Sequence, residues 1–368
     1  MLLPRSVHPL PGEAERRDRL LGLVDRLAAR RVLIVGDVIA DEFIYGQVAR
    51  VSREAPVLIL QYDSTEILPG GAGNAANNVA ALGARADLVG LAGRDDPGRR
   101  LAQALRGRIK GLTLVRPASY LTPVKTRILA GGVHTAKQQI VRIDRVSAQA
   151  VSARTRTEFE RQALKASDRC DAVLISDYGS GLVTPDLAHR LHARVARRAR
   201  RRPVPVLVDS RYDLLRYRGL TACTPNESEV EHMLGITIGD RPDALELAGR
   251  QILRRTRMGA VLVTRGSRGM ALFEARRPTV HIPIFGSNQV ADVTGAGDTV
   301  IATVSLALAA GASCYEAARL ANYAGGLVVM KRGTATVSPV ELRDAIESDH
   351  DTTTEPWSQE GPSQGRTG

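Results

Sequence analysis

The sequence has 368 residues, 43% hydrophobic and 24% charged, an ordinary balance for a folded globular chain. No apolar run approaches the roughly 20 residues of a membrane span, and Met1 to Arg17 lacks the apolar stretch of a secretory signal. The expectation is a cytoplasmic protein without a membrane partner. The formal charge of +12 comes almost wholly from arginine. Its densest cluster (Arg194, Arg197, Arg198, Arg200, Arg201, Arg202) closes a helix-like segment where cations suit the macrodipole. No stacking aromatics accompany it, which disfavours a nucleic-acid partner. Cys170, Cys223 and Cys314 stand far apart with no CxxC pair, which argues against a disulfide framework or a structural zinc site.

In chain order, helical spacing of Leu20, Leu21, Val24, Leu27 and Ala28 predicts a helix over 13–30, an N-terminal extension covering 1–30. Val32 to Val35 is a short apolar run ending in Gly36-Asp37, a buried strand feeding a loop. Ala86–Leu91, Ala172–Ser176, Val204–Asp209 and Ala260–Thr264 repeat this pattern with helix-like segments between them. Such alternation predicts an α/β domain with a mostly parallel sheet and helices on both faces. Residues 43–67 and 121–144 are strand-like with no helix between. They predict a small antiparallel sheet outside the main one, either a lid over a cleft or an edge extension. The polar segment 349–368 is expected to be disordered.

The strongest local signal is Asp292-Val293-Thr294-Gly295-Ala296-Gly297-Asp298, which opens a long Ala/Val/Leu-rich segment. A small-residue loop at a helix start presents backbone N–H groups with the positive end of the dipole behind them, an anion site. Asp298 at that mouth would repel an anion unless it has another task, such as taking a proton from an attacking hydroxyl. A capped helix with glycines for tight packing is the plainer alternative. The second signal is Gly70-Gly71-Ala72-Gly73-Asn74, where glycines permit close backbone approach and Asn74 offers a donor and an acceptor. No G-x-G-x-x-G follows the first strand and no Walker A sequence occurs, which disfavours dinucleotide and P-loop folds.

Taken together, these motifs resemble the ribokinase-like (PfkB-type) carbohydrate kinases. Gly70 to Asn74 matches one signature, Asp292 to Asp298 the other, and Thr224-Pro225-Asn226-Glu227-Ser228-Glu229 between them is similar to the family's N-x-x-E motif. The resemblance covers roughly residues 30 to 345, with the kinase domain spanning 31–345. It implies a three-layer α/β fold with a small β-sheet lid (about 43–67 and 121–144) that often mediates dimerisation, hence a homodimer.

The same resemblance implies ATP and Mg²⁺, with K⁺ in some members. Asp298 becomes the base, and the N–H groups of Gly295, Ala296 and Gly297 the anion hole. Asn226 and Glu229 organise Mg²⁺ through its waters, although Asn226 also suits a helix N-cap. Asp41, with Gly70, Gly71 and Asn74, binds the sugar, and Asp37 assists. Thr264, Gly266, Gly269 and Asn322 lie near the nucleotide base, and Asp292 beside a monovalent cation.

More specific likenesses point to the heptose 7-phosphate kinases. They are Asp41 with Tyr45-Gly46, Arg50-x-Ser52-x-Glu54-Ala55-Pro56-Val57, Ser176-Asp177-Tyr178, Arg216-Tyr217-Arg218-Gly219 and Gly333 to Leu342. Two positions depart: Ser180 replaces a usual lysine, and Asp209-Ser210-Arg211 replaces Asp-Pro-Lys. Lys125 and Arg127 on the lid are candidate substitutes for the missing charge, and a solvated strand face is the alternative. With no nucleotidyltransferase domain following, the expectation is a monofunctional kinase for a sugar or sugar phosphate, best heptose 7-phosphate at its anomeric hydroxyl. The alternatives are a kinase for another sugar or a nucleoside, and a catalytically silent binding protein.

Overall fold

Alternation along each central strand sorts its side chains into two cores. Val32 and Ile34, Ala172 and Leu174, and Ala260 and Leu262 enter one cluster. Leu33 and Val35, Val173 and Ile175, and Val261 and Val263 enter the other. A strand buried on both faces reads as a continuous apolar run, which is why these segments were legible. The computed structural model describes residues 13–131, 137–146, 150–198, 202–286, 292–331 and 333–349. The tail expected to be disordered lies outside them except for Asp349, as do Arg200 and Arg201.

The first half runs α1 (Glu13–Leu27), β1 (Arg31–Val51), β2 (Leu58–Gly71), α2 (Ala72–Ala81), β3 (Arg85–Leu91), α3 (Asp96–Arg106), β4 (Gly111–Val115), β5 (Val124–Gly131) and β6 (Gln138–Arg145). Next come α4 (Ala153–Ala166), β7 (Ala172–Asp177), α5 (Pro185–Arg198), β8 (Val206–Ser210), β9 (Ala222–Cys223), α6 (Glu227–Leu234) and α7 (Pro242–Thr256). The chain closes with β10 (Ala260–Thr264), β11 (Met270–Glu274), β12 (Val280–Ile282), α8 (Ala296–Ala309), α9 (Cys314–Val329) and α10 (Pro339–Ser348).

The central order is β12-β11-β10-β9-β8-β7-β1-β3-β4, with β4 through β10 parallel and β11 and β12 antiparallel at one edge. Helices α1, α2, α3, α8, α9 and α10 supply the first core, and α4, α5, α6 and α7 the second. The helix expected as an extension buries Leu20, Leu23, Val24 and Leu27 in the first core, against α8 and α10. A change such as Leu174→Ala would cost about 2–5 kcal/mol by leaving a cavity at the centre of that core.

The lid differs from the sequence expectation in two ways. Its first strand is a continuation of β1: Arg31–Asp37 pairs with β3, then Val38–Val51 pairs antiparallel with β2. Its strands are mixed rather than antiparallel, because β1 and β5 run parallel while β5 and β6 run antiparallel. Gly36, Asp37 and Asp41 interrupt the apolar run and hid the strand's continuity. One stiff strand therefore couples the floor of the sheet to the lid.

Candidate active site

The parallel strands end in one cleft of about 240 Å³, where open α/β sheets place their ligands. From the sheet come Asp177 ending β7 and Tyr178 after it, Asp209 on β8, Thr224 after β9 and Thr264 ending β10. The lid contributes Asp41, Lys125, Arg127 and Arg142, and the start of α8 contributes Gly295, Gly297 and Asp298. Ten of the residues singled out from sequence thus meet at one place: Asp41, Gly71, Lys125, Arg127, Asn226, Glu229, Thr264, Gly295, Gly297 and Asp298.

Asp298 is buried in the first turn of α8. Asn74 donates from Nδ2 to its Oδ2 at 2.9 Å, and the Tyr178 hydroxyl donates to its Oδ1 at 3.0 Å. Burial pushes its pKa up to about 6, against the pull of the Asn74 and Tyr178 hydrogen bonds; Asp41 adds to the rise and Lys125 opposes it. The two glycine-rich motifs therefore act together, since α2 carries the donor and α8 the acceptor. Asn74 is itself fixed by Asn78, whose Nδ2 donates to Asn74 Oδ1 at 3.2 Å. Thr299 Oγ1 donates to Asn78 Oδ1 at 3.0 Å.

Gly295 adopts φ 78°, and a Cβ there would lie 2.4 Å from Asn74 Nδ2, so this position must be glycine. A Cβ on Gly297 would meet nothing within 4 Å, because it faces the open cleft. The amides of Gly295 and Gly297 have no hydrogen-bond partner among the described residues. The Ala296 N–H instead donates to Val293 O at 3.2 Å, closing a turn. In this conformation Ala296 serves the loop rather than the anion hole.

Asp41 accepts from Arg127 Nη1 at 2.5 Å, both side chains largely buried. A Cβ on Gly70 would sit 2.2 Å from Asp41 Oδ2, so glycine lets β2 pass that close. Lys125 Nζ lies 4.8 Å from the Tyr178 ring centroid, and burial pulls its pKa down. Asp37 does not line the cleft. It accepts from Tyr178 N at 2.8 Å and from Ser180 Oγ, and burial pushes it up to about 6. Its work is to hold the loop that carries Tyr178. Ser180, which replaces the subfamily's lysine, completes that clamp.

On the far side, Asn226 caps α6 and forms a capping box with Glu229: Glu229 N donates to Asn226 Oδ1 at 2.8 Å and Asn226 N to Glu229 Oε2 at 2.9 Å. The cap and the cleft position coincide. Asp209, which sequence reading left without a role, is raised well above the carboxylate range by burial first, then by Glu229, Asp298 and Asp177. Glu229 is raised by burial, with Arg211 opposing. The Thr224 hydroxyl is buried with no hydrogen-bond partner among the described residues. Among the described residues no cluster of three or more His, Cys, Asp or Glu could hold a metal. Two carboxylates and amide oxygens nevertheless suit a hard cation that keeps its waters and takes phosphate oxygens, as Mg²⁺ does.

Three expected nucleotide contacts lie off the cleft. Gly266 and Gly269 form the turn after β10, and a Cβ on Gly269 would lie 2.1 Å from Ile282 O. Asn322 is buried and donates from Nδ2 to Pro283 O at 2.8 Å, bracing the segment after β12. Asp292 accepts from Thr294 N at 2.9 Å and Gly333 N at 3.0 Å, tying the α8 loop to the loop before α10.

Residues 29–341 match the pfkB family carbohydrate kinase profile. The chain is 39% identical to the bifunctional protein HldE of Geobacter sulfurreducens over 336 residues, 91% of this chain and 66% of that protein. It is 41% identical to HldE of Aeromonas salmonicida over 324 residues, 88% of this chain and 65% of that protein. The chain thus spans about two thirds of the length of these relatives. Among solved structures, Escherichia coli phosphofructokinase-2 in complex with potassium aligns with a TM-score of 0.69 at 18% identity, covering 86% of this chain and 98% of that one. Arabidopsis thaliana ribokinase complexed with ribose and ATP aligns with a TM-score of 0.66 at 20% identity, covering 87% and 99%. The structural likenesses establish the ribokinase-like fold, and the matched profile over residues 29–341 establishes that the chain belongs to the pfkB family of carbohydrate kinases.

Proposed function

We propose that this chain transfers the γ-phosphoryl group of ATP to a sugar or sugar-phosphate hydroxyl, with heptose 7-phosphate, at its anomeric hydroxyl, as the acceptor. The observation that carries the reading is Asp298: a buried carboxylate held by two donors, beside the open face of Gly297 at a helix N-terminus. With a pKa of about 6 it is ionised at neutral pH yet basic enough to accept a hydroxyl proton. The free Gly295 and Gly297 amides and the α8 dipole then face the negative charge of the group in transfer. Asp41, held by Arg127, orients the acceptor's hydroxyls.

Bound Mg²⁺ would neutralise the phosphate oxygens of the nucleotide. Asp209, Glu229, Asn226 and Thr224 are the side chains offered for its waters and for those oxygens. K⁺ beside Asp292 belongs to the same reading, supported by the carboxylate's hold on both loops around α8. A homodimer through the lid is supported by exposed Val51, Leu58, Tyr62, Ile140 and Ile143. No described helix is long and apolar enough to cross a membrane, and a cytoplasmic enzyme would have ATP at hand. The heptose assignment rests on the specific motif likenesses and on the similarity to the HldE proteins.

The test is ADP release from Mg·ATP with heptose 7-phosphate, fructose 6-phosphate, ribose, fructose and adenosine, using Asp298→Asn as the blank. Turnover on the heptose phosphate alone is expected. Turnover confined to another acceptor rejects the heptose, and ADP release unchanged in Asp298→Asn rejects Asp298 as the base.

A further inference from the structure

Tyr178, which donates to the base, sits on a loop that its own sequence leaves loose. Gly179 and Gly181, on either side of Ser180, adopt φ 82° and 74°, a backbone freedom that glycine supplies and that folding must remove. Two buried carboxylates hold this loop. Asp37, from β1, accepts from Tyr178 N at 2.8 Å and from Ser180 Oγ. Asp177, ending β7, accepts from Gly179 N at 3.0 Å, from Ser210 Oγ at 2.8 Å and from the Tyr217 hydroxyl at 2.8 Å. The two carboxylates repel each other, so each depends on its donors. Each serine also accepts a backbone N–H further along: Leu182 N at 3.2 Å on Ser180 Oγ, and Asp213 N at 3.3 Å on Ser210 Oγ. The loop after β8 follows the first. Arg211 N donates to Asp177 O at 3.1 Å, and a Cβ on Gly179 would lie 2.8 Å from the Tyr212 ring. Ser180 and Ser210 are also where the sequence departs from the lysine and the proline of the heptose 7-phosphate kinase pattern. A proline at 210 would have no donor for Asp177. Both departures thus place a hydroxyl on one of two neighbouring carboxylates that grip the residues around Tyr178.

We propose that Ser180 and Ser210 are a matched pair of positioning residues, which lock the 177–182 loop so that the Tyr178 hydroxyl stays on Asp298 during transfer. The inference rests on the kinase reading and adds to it two residues that do not line the cleft. They act through Tyr178, whose ring has little room of its own. A Cβ on Gly71 would lie 3.3 Å from its Cε2, and Lys125 Nζ stands 4.8 Å from its centroid. A shift of the loop therefore moves the hydroxyl relative to Asp298. At both carboxylates the chain has exchanged the subfamily's side chain for a hydroxyl, and the two exchanges serve one loop.

The experiment measures kcat and KM for Ser180→Ala, Ser210→Ala and Ser180→Thr, each alone and combined with Tyr178→Phe, with thermal unfolding as the check on folding. Ser210 is buried, so Ser210→Cys, near in size and still a weak donor, replaces Ser210→Ala should that variant not fold. Alone, either alanine is expected to lower kcat about tenfold, and by no more than Tyr178→Phe does, because misplacing a group costs rate. KM for ATP and for the acceptor should stay within about twofold. Ser180→Thr, which keeps the donor, should recover most of the loss. Combined with Tyr178→Phe, the same alanines should lower kcat by less than about twofold further, since residues acting through one hydroxyl are not additive. An equal loss with and without Tyr178→Phe overturns the proposal, and assigns the serines to the fold at large or, for Ser210, to the neighbouring Asp209. A kcat unmoved in either single variant overturns it as well. If wild type turns over no acceptor, the kinase reading fails, and amide hydrogen exchange judges the lock by itself. The Tyr178 and Gly179 amides should then exchange about tenfold faster in both alanine variants; unchanged exchange overturns the lock.

Discussion

The hydroxyl of Tyr178 donates to Oδ1 of Asp298 at 3.0 Å, while the backbone of the same residue is held by Asp37. Burial and the neighbouring carboxylates keep this phenol neutral far into the alkaline range, so it stays a donor wherever Asp298 is ionised. The bond favours the charged carboxylate. Tyr178→Phe should therefore raise the pKa of Asp298 above about 6. A hydrogen bond to a charged group is worth about 1.5–3 kcal/mol, so the acid limb of kcat/KM should move up by about one pH unit or more. An acid limb that stays in place would show that Tyr178 does not tune the base.

Two groups of expected site residues were legible because the chemistry sits in a local run: Asp298 with its glycines, and Asn226 with Glu229. Asn74 was legible as a motif, yet its bond to Asp298 spans 224 positions and needs α2 to pack against α8. Tyr178 and Asp209 were visible as residues but not as a pair of neighbours of the base. Their meeting depends on β7 lying beside β1 and β8 beside β7, which no local pattern records. Arg142 was hidden more deeply, because every residue of β6 is exposed and only the register with Arg127 brings it to the cleft. Gly266, Gly269 and Asn322, expected near the nucleotide base, lie off the cleft lining. Gly269 packs against the backbone of Ile282 and Asn322 bonds the Pro283 carbonyl, while Gly266 has open space beside it.

Asp298→Asn should separate activity from stability. The folded pKa near 6 stands above the unfolded value of 3.8, so between them the folded state keeps a proton that the unfolded state has released. Stability is then greatest on the acid side and falls as pH rises through about 6, a cost on the order of 3 kcal/mol at neutral pH. Asp37, also near 6, contributes with the same sign. The amide variant should melt several degrees higher at pH 7.5, with less change between pH 4 and 6, while turnover falls by about 10²–10⁴. A lower melting temperature at pH 7.5 would mean that the ionised carboxylate helps to hold the fold.

Gly295→Ala and Gly297→Ala should fail for different reasons. At 295 the methyl group meets Asn74 at 2.4 Å in a left-handed backbone conformation, so the variant should lose about 1–3 kcal/mol of stability as well as activity. At 297 the methyl group enters open space, so thermal stability should stay within about 0.5 kcal/mol while activity drops. Parallel melting curves and ADP-release rates distinguish the two, and equal melting losses would refute the contrast.

Asp209 and Glu229 are both held above their ordinary carboxylate range, and each costs less when a cation lies between them. Asp209→Asn removes one charge and keeps the shape. The repulsion on Glu229 falls, so the metal-free protein should become more stable, by melting temperature in EDTA. The attraction for a divalent cation falls as well, and the Mg²⁺ concentration giving half-maximal ADP release should rise about tenfold or more. The two measurements move in opposite directions only if Asp209 serves the cation. A variant that loses activity at every Mg²⁺ concentration, without a shift in the half-maximal point, would instead assign Asp209 to tuning Asp298, whose charge it feels.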